Sequence, residues 1–403
     1  MNFISICSGI EAASVAFSPL GWKAIAFSEI EPFPCAVLAH HYPDVPNFGD
    51  MTKFREWPEE IFANADAVVG GPPCQAFSVA GARNGLNDDR GNLTLTYAEL
   101  INHADAIRFI HGKPPVVVLY ENVHGLLSDK TGAFGCFLAG LAGEDCALEP
   151  PGGRWTDAGC VLGPERAIAW RTLDAQFFGL AQRRRRVFVV ASARAGFDPA
   201  AVLFEFDGVR RDSAPRREAG EAVAGTFKAC ASSGGWSNSA DHAAAGYMQP
   251  VAQPVITMAH GQGGAEIGFD ASEDGTGRGT PLVPVAFDTT QITSAANYSN
   301  PKPGDPCHPL AAGAHAPAIA FLANLSGTQH ASTENLAPSM AVRRLIVEEC
   351  EFLQGFPRGY TAIPWRGKPA DQCPDGPRYK ALGNSWAVPV VAWIGKRIQG
   401  AIN

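Results

Sequence analysis

The sequence predicts an α/β protein built around a mostly parallel β-sheet with helices on its faces. In the first half of the chain, short apolar runs typical of strands alternate with stretches at helical spacing. After about Phe206 this alternation stops, and Gly, Ala, Ser, Thr and Pro dominate from Glu218 to Met340. This change of composition indicates a second, loop-rich β domain or a partly flexible insert.

Five apolar runs are predicted strands: Asn2 to Ile6, Trp22 to Phe27, Ala65 to Val69, Pro115 to Tyr120 and Arg186 to Ser192. The segment Thr94 to His111 carries apolar residues near helical spacing, which predicts an amphipathic crossover helix. Near the C-terminus, Tyr379 to Ile398 is predicted to form a closing helix.

Composition and charge narrow the class of protein. The chain has 403 residues, 46% of them hydrophobic, and a net charge of −8, so any contact with nucleic acid must come from a local basic patch. Its ten cysteines include no CxxC pair, which argues against a zinc ribbon and a disulfide scaffold, and we expect no metal. No apolar stretch approaches the roughly 18 residues of a membrane span, so we expect a cytoplasmic protein without membrane contact.

Ligands of open α/β sheets bind beyond the carboxyl ends of the strands, and the residues there are unusual in this sequence. The first strand is followed by the small-residue turn "CSGIEA". Glu29 follows the second strand, about twenty residues after this turn, which is the usual distance of an acidic residue that binds ribose hydroxyls. Asp50 comes next. Each of these features alone also fits a purely structural role, as a simple turn or a helix cap. Their shared sheet edge favours a nucleotide-like ligand.

A cysteine occupies a stiffened loop in "GGPPCQAFSVAG". Most lone cysteines are buried and inert. Here, however, the prolines restrict the loop and fix the direction of the Cys74 thiol at the edge of the cleft. Glu121, in "ENV" after the next strand, is either a structural hydrogen-bond acceptor or an acid that works with this nucleophile.

Four consecutive arginines, Arg183 to Arg186, precede the last strand of the first half. Such a run can be a solvated edge that prevents aggregation. Side chains alternate along an extended segment, so Arg184 and Arg186 are predicted to point one way and Arg183 and Arg185 the other. We favour a functional interpretation in which one pair enters the cleft and the other faces phosphate or solvent.

The motifs "GGPPCQAFS", "ENV", "FGLAQRRRRVFVV", "RRLIVEECEFLQGFP" and "YKALGNSWAVPVV", in this order, resemble those of the C5-cytosine-specific DNA methyltransferases of bacteria and phages. The resemblance covers roughly residues 2–192 and 342–395. It implies a Rossmann-like sheet that binds S-adenosylmethionine, with S-adenosylhomocysteine as product. It also implies a smaller, loop-rich β domain for target recognition.

The resemblance implies methyl transfer to C5 of a cytosine that is flipped out of sequence-specific double-stranded DNA. In this family the cysteine matched by Cys74 adds to C6, and the glutamate matched by Glu121 contacts N3 and stabilises the charge on the base. Arg184 and Arg186 match the pair that anchors the base carbonyl and the catalytic loop.

The matched positions also imply two contact sets. The donor-binding set is Cys7, Ser8, Gly9, Ile10, Glu29, Ile30, Asp50, Met51, Pro72, Leu93, Asn384 and Ser385. The DNA-contacting set is Gln75, Ser78, Asn122, Gln182, Arg183 and Arg343.

The first motif departs from the family pattern. The family usually has an aromatic residue where Cys7 stands and glycines where Glu11 and Ala12 stand. An aromatic face over the adenine would therefore be missing, and a carboxylate is introduced near the donor. We expect weaker donor binding or a different adenine contact.

The resemblance implies a catalytic and donor-binding domain over 1–192, completed by 378–403, with a target-recognition domain over 193–377. Between Glu218 and Met340 the only basic residues are Lys228, Arg278 and Lys302, so hydroxyl, amide and backbone groups are expected to read much of the sequence. Phosphate contacts are expected at the start of this region from Arg210, Arg211, Arg216 and Arg217.

Two alternatives remain open at this point. A tRNA cytosine methyltransferase shares these motifs, although a recognition region of this length favours duplex DNA. A catalytically silent DNA-binding protein would be expected to lack Cys74, Glu121 or the arginine pair, all of which are present. The family commonly acts as a monomer, and a separate restriction endonuclease could be its partner in a restriction-modification system.

Overall fold

The structure is a computed structural model, and it describes residues 1–72, 93–205, 285–287, 318–323 and 339–402. A seven-stranded sheet forms its centre. In chain order its strands are β1 (Asn2–Ile6), β2 (Lys23–Ser28), β3 (Ala67–Gly70), β4 (Val117–Val123), β5 (Ala158–Leu162), β6 (Ala167–Asp174) and β7 (Arg185–Ser192). Their spatial order is β2-β1-β3-β4-β7-β6-β5.

Nine α-helices lie in the described part of the chain. They are α1 (Ala12–Phe17), α2 (Pro32–His41), α3 (Glu59–Asn64), α4 (Leu93–Ile110), α5 (Ala133–Ala142), α6 (Pro199–Leu203), α7 (Val347–Gln354), α8 (Asp375–Asn384) and α9 (Val388–Ile402). None of these helices has the length and apolar character needed to cross a membrane.

The predicted α/β sheet is confirmed, and its parallel part is β2, β1, β3 and β4. Alternate side chains of these strands enter two apolar clusters, one on each face. Phe3, Val69 and Leu119 pack with α1 and α9, whereas Ile4 and Val68 pack with α3, α4 and α5. The strands are buried on both faces, which explains why they are continuous apolar runs in the sequence.

The other half of the sheet is antiparallel, since β7 runs opposite to both β4 and β6, and β5 runs opposite to β6. The sequence did not predict β5 or β6. Every second residue of β5 is exposed, and Leu162 is among the most exposed large apolar side chains described. β5 (AGCVL) begins with Ala, Gly and Cys, which are not typical strand formers, and the apolar run of β6 (AIAWRTLD) is interrupted by Arg171 and Thr172, so neither carries the clear signal of the buried strands.

The predicted closing helix over Tyr379 to Ile398 is wrong in one respect: the segment forms the end of α8 and most of α9, with a break at Ser385 to Ala387. Pro389 lies in the first turn of α9. Proline fits the first turn of a helix. In a helix interior it has no N–H to donate and its ring clashes with the preceding turn, so Pro389 separates the two helices. The break places a short segment at the edge of the sheet.

Segments on both sides of the central region pack in the α/β core. Phe197, Val202 and Leu203 belong to the same apolar cluster as α1 and α9, and so do Leu345, Val347, Phe356 and Ile363. Between these segments the described residues form a small antiparallel sheet, β8 (Val285–Phe287), β9 (Ala318–Ala323) and β10 (Ser339–Arg344), in the order β10-β9-β8.

Candidate active site

The register of the strands brings the functional motifs to one edge of the sheet. Ile6 is paired with Ser28 and Gly70, and Gly70 is paired with Tyr120, so the ends of β1 to β4 lie side by side. Because β7 is antiparallel to β4, its beginning lies at the same edge, with Arg186 opposite Val123. This edge is where ligands bind in such sheets.

The turn after β1 is held in an unusual backbone conformation. Cys7, Gly9 and Glu11 have φ values of 52°, 55° and 65°, in the left-handed region that favours glycine. The Ser8 hydroxyl donates to Ser5 O at 2.8 Å, which ties the turn to its own strand. A Cβ atom placed on Gly9 would meet no atom of the described residues within 4 Å, so this part of the chain leaves the space in front of the turn open.

The Glu29 carboxylate joins this turn to the end of β2. Its Oε2 atom accepts the Gly9 amide at 2.7 Å, and its Oε1 atom accepts the amides of Ile30 and Glu31 at 2.8 Å. A carboxylate has about four acceptor positions, so Glu29 can still accept hydrogen bonds from a ligand. Beside it the Ile30 side chain is 70% exposed, which leaves an apolar surface next to the carboxylate.

Asp50 and Met51 lie next to the turn. Asp50 Oδ1 accepts from the amide and the hydroxyl of Thr52 at 2.9 Å, so this carboxylate starts a helical turn, and within the described part of the chain these two bonds use only one of its oxygens. Met51 is buried, with its Sδ atom 3.7 Å from Cys7 Sγ. Burial, together with the charges of Glu29 and Asp50, raises the pKa of the Cys7 thiol to about 12. Cys7 is therefore a packed thiol at neutral pH.

Glu11 is fully buried and bonded within the protein. Its Oε2 atom accepts from Ser5 Oγ at 2.8 Å, and its Oε1 atom accepts from the amide and hydroxyl of Ser14 at 3.0 Å. The carboxyl group is therefore the N-cap of α1 and ties that helix to β1. The sequence predicted that the Glu11 carboxylate would lie near the methyl donor. It instead points into the protein, because these three hydrogen bonds hold both of its oxygens.

Burial raises the pKa of Glu11 from its ordinary value of 4.5 to about 7. The folded protein then binds this proton more tightly than the unfolded chain, so stability that is present below pH 4.5 is lost as pH rises through 7. We expect Glu11→Gln to become more stable relative to the wild type between pH 5 and pH 8, by at most about 3 kcal/mol. Urea unfolding at both pH values measures this change, and a constant difference would contradict it.

Glu121 is the buried acid in the half of the site that β4 and β7 form, opposite the turn after β1. It is 7% exposed, and its Oε1 atom lies 3.1 Å from Nε of Arg186. Burial raises the pKa of Glu121, while Arg186, Arg184 and Trp386 counteract this rise. A carboxyl group in this environment can hold or release a proton closer to neutral pH than an exposed one.

Arg184 connects this half of the site to the C-terminal segment. Its guanidinium is buried, and Nη2 donates to Ser385 O at 2.6 Å and to Gly383 O at 3.1 Å. Burial, with the nearby charge of Arg186, lowers the pKa of Arg184 to about 9. The side chain therefore fixes the break between α8 and α9 against the strand ends.

Removing the Arg184 side chain leaves these two carbonyl groups without their donor. We expect Arg184→Met to lower the free energy of unfolding by about 3 kcal/mol, because buried acceptors then lose a charged partner. The exposed Arg183 supplies a matched control, and Arg183→Met is expected to change stability by less than about 0.5 kcal/mol. Urea unfolding of both variants checks the result, and equal effects would contradict it.

The predicted alternation of the arginine run is confirmed. Arg184 and Arg186 point towards Glu121, and Arg183 and Arg185 are exposed. Arg185 makes an ion pair with Asp157 at 3.1 Å, whereas Arg186 also donates to Arg185 O at 2.9 Å. Only the inner pair contributes to the buried site.

Two predicted DNA-contacting residues are buried. Asn122 Nδ2 donates to Pro72 O at 3.2 Å and to the Tyr120 hydroxyl at 2.6 Å, so this amide anchors the start of the segment that carries Cys74. A contact of Asn122 with DNA would require these bonds to break. Gln182 is fully buried, and neither of its amide atoms has a hydrogen-bond partner in the part of the chain that the structure describes.

The remaining predicted site residues divide into three groups. Ile10, Pro72 and Ser385 are buried, Leu93 begins α4, and Asn384 is exposed at the end of α8. Cys74, Gln75 and Ser78 lie outside the described residues, and so do Arg210, Arg211, Arg216 and Arg217. Arg343 lies on β10, and its side chain is outside the description.

Trp386 and Gly71 were not predicted from the sequence as site residues. A Cβ atom on Gly71 would lie 2.9 Å from Trp386 Nε1 and 3.2 Å from Glu121 Oε2, so the three residues meet at one point. The only signal in the sequence was the position of Trp386 directly after the "GNS" motif. Among the described residues, no group of three or more His, Cys, Asp and Glu side chains could hold a metal ion.

Comparison with known proteins identifies the family. The sequence model for the C-5 cytosine-specific DNA methylases matches residues 1–202, half of the chain. The chain belongs to this family. Solved structures match almost the whole of it. Among them, the Dnmt2 methyltransferase of S. pombe has a TM-score of 0.57 at 14% identity, and the match covers 100% of this chain and 99% of that one. A Spodoptera frugiperda DNMT2 mutant has a TM-score of 0.51 at 16% identity, with 99% of each chain covered.

These structures confirm the fold of the S-adenosylmethionine-dependent methyltransferases for this family member. Among curated relatives, an Escherichia phage P1 protein named DNA N-6-adenine-methyltransferase is 42% identical over 99% of this chain and 61% of its own length. The type II methyltransferase M2.BsuMI of Bacillus subtilis is 31% identical over 51% of this chain and 45% of its own. The chain therefore spans about half to three fifths of the length of these two relatives.

Proposed function

We propose that this protein transfers a methyl group from S-adenosylmethionine to C5 of a flipped-out cytosine in double-stranded DNA. The observation that supports this most is the buried cluster of Glu121, Arg184 and Arg186 beside Gly71, where the Cys74 segment leaves the sheet. The turn bound to Glu29 lies at the same edge. A base site and a donor site thus share one cleft.

The described residues fit the donor. Glu29 has acceptor capacity left for ribose hydroxyls, the exposed Ile30 offers an apolar surface to the adenine, and the open space before Gly9 admits the rest of the molecule. When bound, the donor supplies an electrophilic methyl group. Asp50, Met51, Leu93, Asn384 and Ser385 are proposed as further donor contacts.

The acceptor carbon needs activation because C5 of cytosine is a poor nucleophile. We propose that the Cys74 thiolate forms a bond to C6, which makes C5 nucleophilic, and that Glu121 contacts N3 as charge develops on the ring. Arg186, with Arg184 behind it, would hold the base carbonyl. Loss of the C5 proton then allows the bond between sulfur and C6 to break and frees the thiolate.

The phage P1 relative is named for a different acceptor, the N6 amino group of adenine. An amino group can attack a methyl donor directly, so adenine methylation does not require a nucleophilic cysteine. The present chain has Cys74, Glu121 and both inner arginines, which is the set that cytosine chemistry requires. We therefore favour cytosine C5 as the acceptor of this chain.

We further propose different limits for the catalytic domain. Its first part extends to about residue 205 instead of 192, and its second part begins near 345 instead of 378. The packing of Val202, Leu203, Leu345 and Val347 in the same core as α1 and α9 supports these limits. The target-recognition domain would lie between them and would contribute Arg343 to the DNA contacts. Gln75, Ser78 and Arg183 are proposed as DNA contacts from the catalytic domain.

Expression in a host without DNA methylation of its own tests the function. We expect genome sequencing that resolves modified bases to show 5-methylcytosine at one recurrent sequence, which would also report the recognition site. N6-methyladenine without 5-methylcytosine would favour adenine chemistry. Methylated tRNA with unmodified DNA would favour the tRNA alternative, and no modification in either would favour a silent binding protein.

The Cys7 position gives a prediction about the donor. We expect Cys7→Phe to tighten donor binding about 3- to 10-fold, because an aromatic side chain adds apolar contact beside the adenine that the small thiol lacks. Isothermal titration calorimetry with S-adenosylhomocysteine measures the change. An unchanged dissociation constant would show that the thiol does not limit affinity, and Cys7→Ser separates the loss of packing from the gain of the ring.

A further inference from the structure

Trp386 lies where the C-terminal segment meets the carboxyl group of Glu121. Its indole Nε1 and Glu121 Oε2 lie 2.9 and 3.2 Å from the position that a Cβ atom of Gly71 would take. Only a glycine leaves room for both atoms, because a methyl group there would overlap the indole nitrogen. The indole N–H and the carboxyl oxygen thus converge at the start of the Cys74 segment.

The segment that carries Trp386 is fixed by buried contacts. Arg184 donates to the carbonyl groups of Gly383 and Ser385, the residues just before the tryptophan. Pro389 lies in the first turn of the next helix, and the partly buried indole packs against the apolar cluster that α9 shares with the sheet. The ring is therefore held beside the carboxyl group.

The two oxygens of Glu121 have different neighbours. Oε1 lies 3.1 Å from Nε of Arg186, and Oε2 faces the side occupied by Trp386. An indole N–H can only donate a hydrogen bond, so it favours the ionised carboxylate and opposes the effect of burial on the pKa of Glu121.

Resting on the proposed function, we propose that Trp386 is a positioning residue that fixes the plane and the protonation of the Glu121 carboxyl group for its contact with cytosine N3. The residue does not touch the reacting atoms. It acts through Glu121, with Arg186 on the other oxygen, so its loss changes the pH at which the acid works as well as the rate.

The pH dependence of turnover tests this role. Trp386→Phe keeps an aromatic ring and removes the N–H, so we expect a roughly 5- to 30-fold lower kcat on duplex DNA. We also expect the limb of the pH–rate profile that belongs to Glu121 to move to higher pH by about half a unit or more. The direction holds whether the protonated or the ionised form is active, because losing a donor raises the pKa of the carboxyl group.

Two comparisons make the result specific. Trp393→Phe replaces another tryptophan of the C-terminal segment, one that lies on α9 and packs against Phe178, and it should leave the profile unchanged. In a Glu121→Gln background, Trp386→Phe should have little further effect on the single-turnover rate. A slower Trp386→Phe enzyme with an unmoved limb, or additive effects in the double variant, would overturn the inference. A wild type that transfers no methyl group to cytosine would instead overturn the proposed function, and this inference with it.

Discussion

Replacing Cys74 by Ala is expected to abolish methyl transfer to cytosine, with a loss of at least about 10³-fold in turnover. Without the thiolate, no bond forms to C6, and C5 stays too weak a nucleophile to take the methyl group. Transfer of a labelled methyl group from S-adenosylmethionine to duplex DNA measures this loss.

The same variant should remain folded, since Cys74 is assigned to chemistry and not to packing. Thermal unfolding followed by circular dichroism checks this, and donor affinity should be retained. Cys146→Ala, at an exposed cysteine in the segment that follows α5, is the matched control and should keep wild-type activity. If Cys74→Ala continued to methylate DNA, covalent addition by this residue would be excluded.

Glu121→Gln is expected to lower the rate of methyl transfer by about 10²- to 10³-fold. Glutamine keeps the shape of the side chain, yet it can neither donate a carboxyl proton to the base nor balance the charges of Arg184 and Arg186. Because burial raises the pKa of Glu121, the wild-type profile should contain a limb from this group that the variant lacks.

Single-turnover rates across a pH series separate this effect from DNA binding. The surface substitution Glu144→Gln removes one carboxylate from an exposed position and should leave rate and profile unchanged. A Glu121→Gln enzyme whose rate is low and whose profile keeps every wild-type limb would assign the titration to another residue.

The sequence predicted those parts of the fold that depend on local patterning. The strands β1 to β4 and β7 are buried on both faces, so their apolar runs were visible, and the edge where they end followed from parallel topology. The inward direction of Arg184 and Arg186 followed from the two-residue period of an extended chain. These are consequences of backbone geometry.

Two kinds of feature were not predicted: an unusual local backbone conformation and contacts distant in sequence. The role of Glu11 as a buried helix cap is of the first kind, because the left-handed turn at Glu11 brings Ser5 and Ser14 onto its carboxylate. Trp386 reaches Glu121 although the two are separated by 265 positions in the chain, and only the fold brings them together. No local period or motif spacing carries such information, which is why the second half of the base site was missed.

The most direct test of cytosine attack by Cys74 uses a duplex that contains the mapped recognition sequence with 5-fluorocytosine at the target position. Fluorine cannot leave C5 as a proton does, so the enzyme should remain covalently joined to the base after methyl transfer. We expect an adduct that survives denaturation, requires S-adenosylmethionine, and maps by mass spectrometry to Cys74. An enzyme that methylates the ordinary duplex but forms no adduct, or forms it through another residue, would contradict the mechanism.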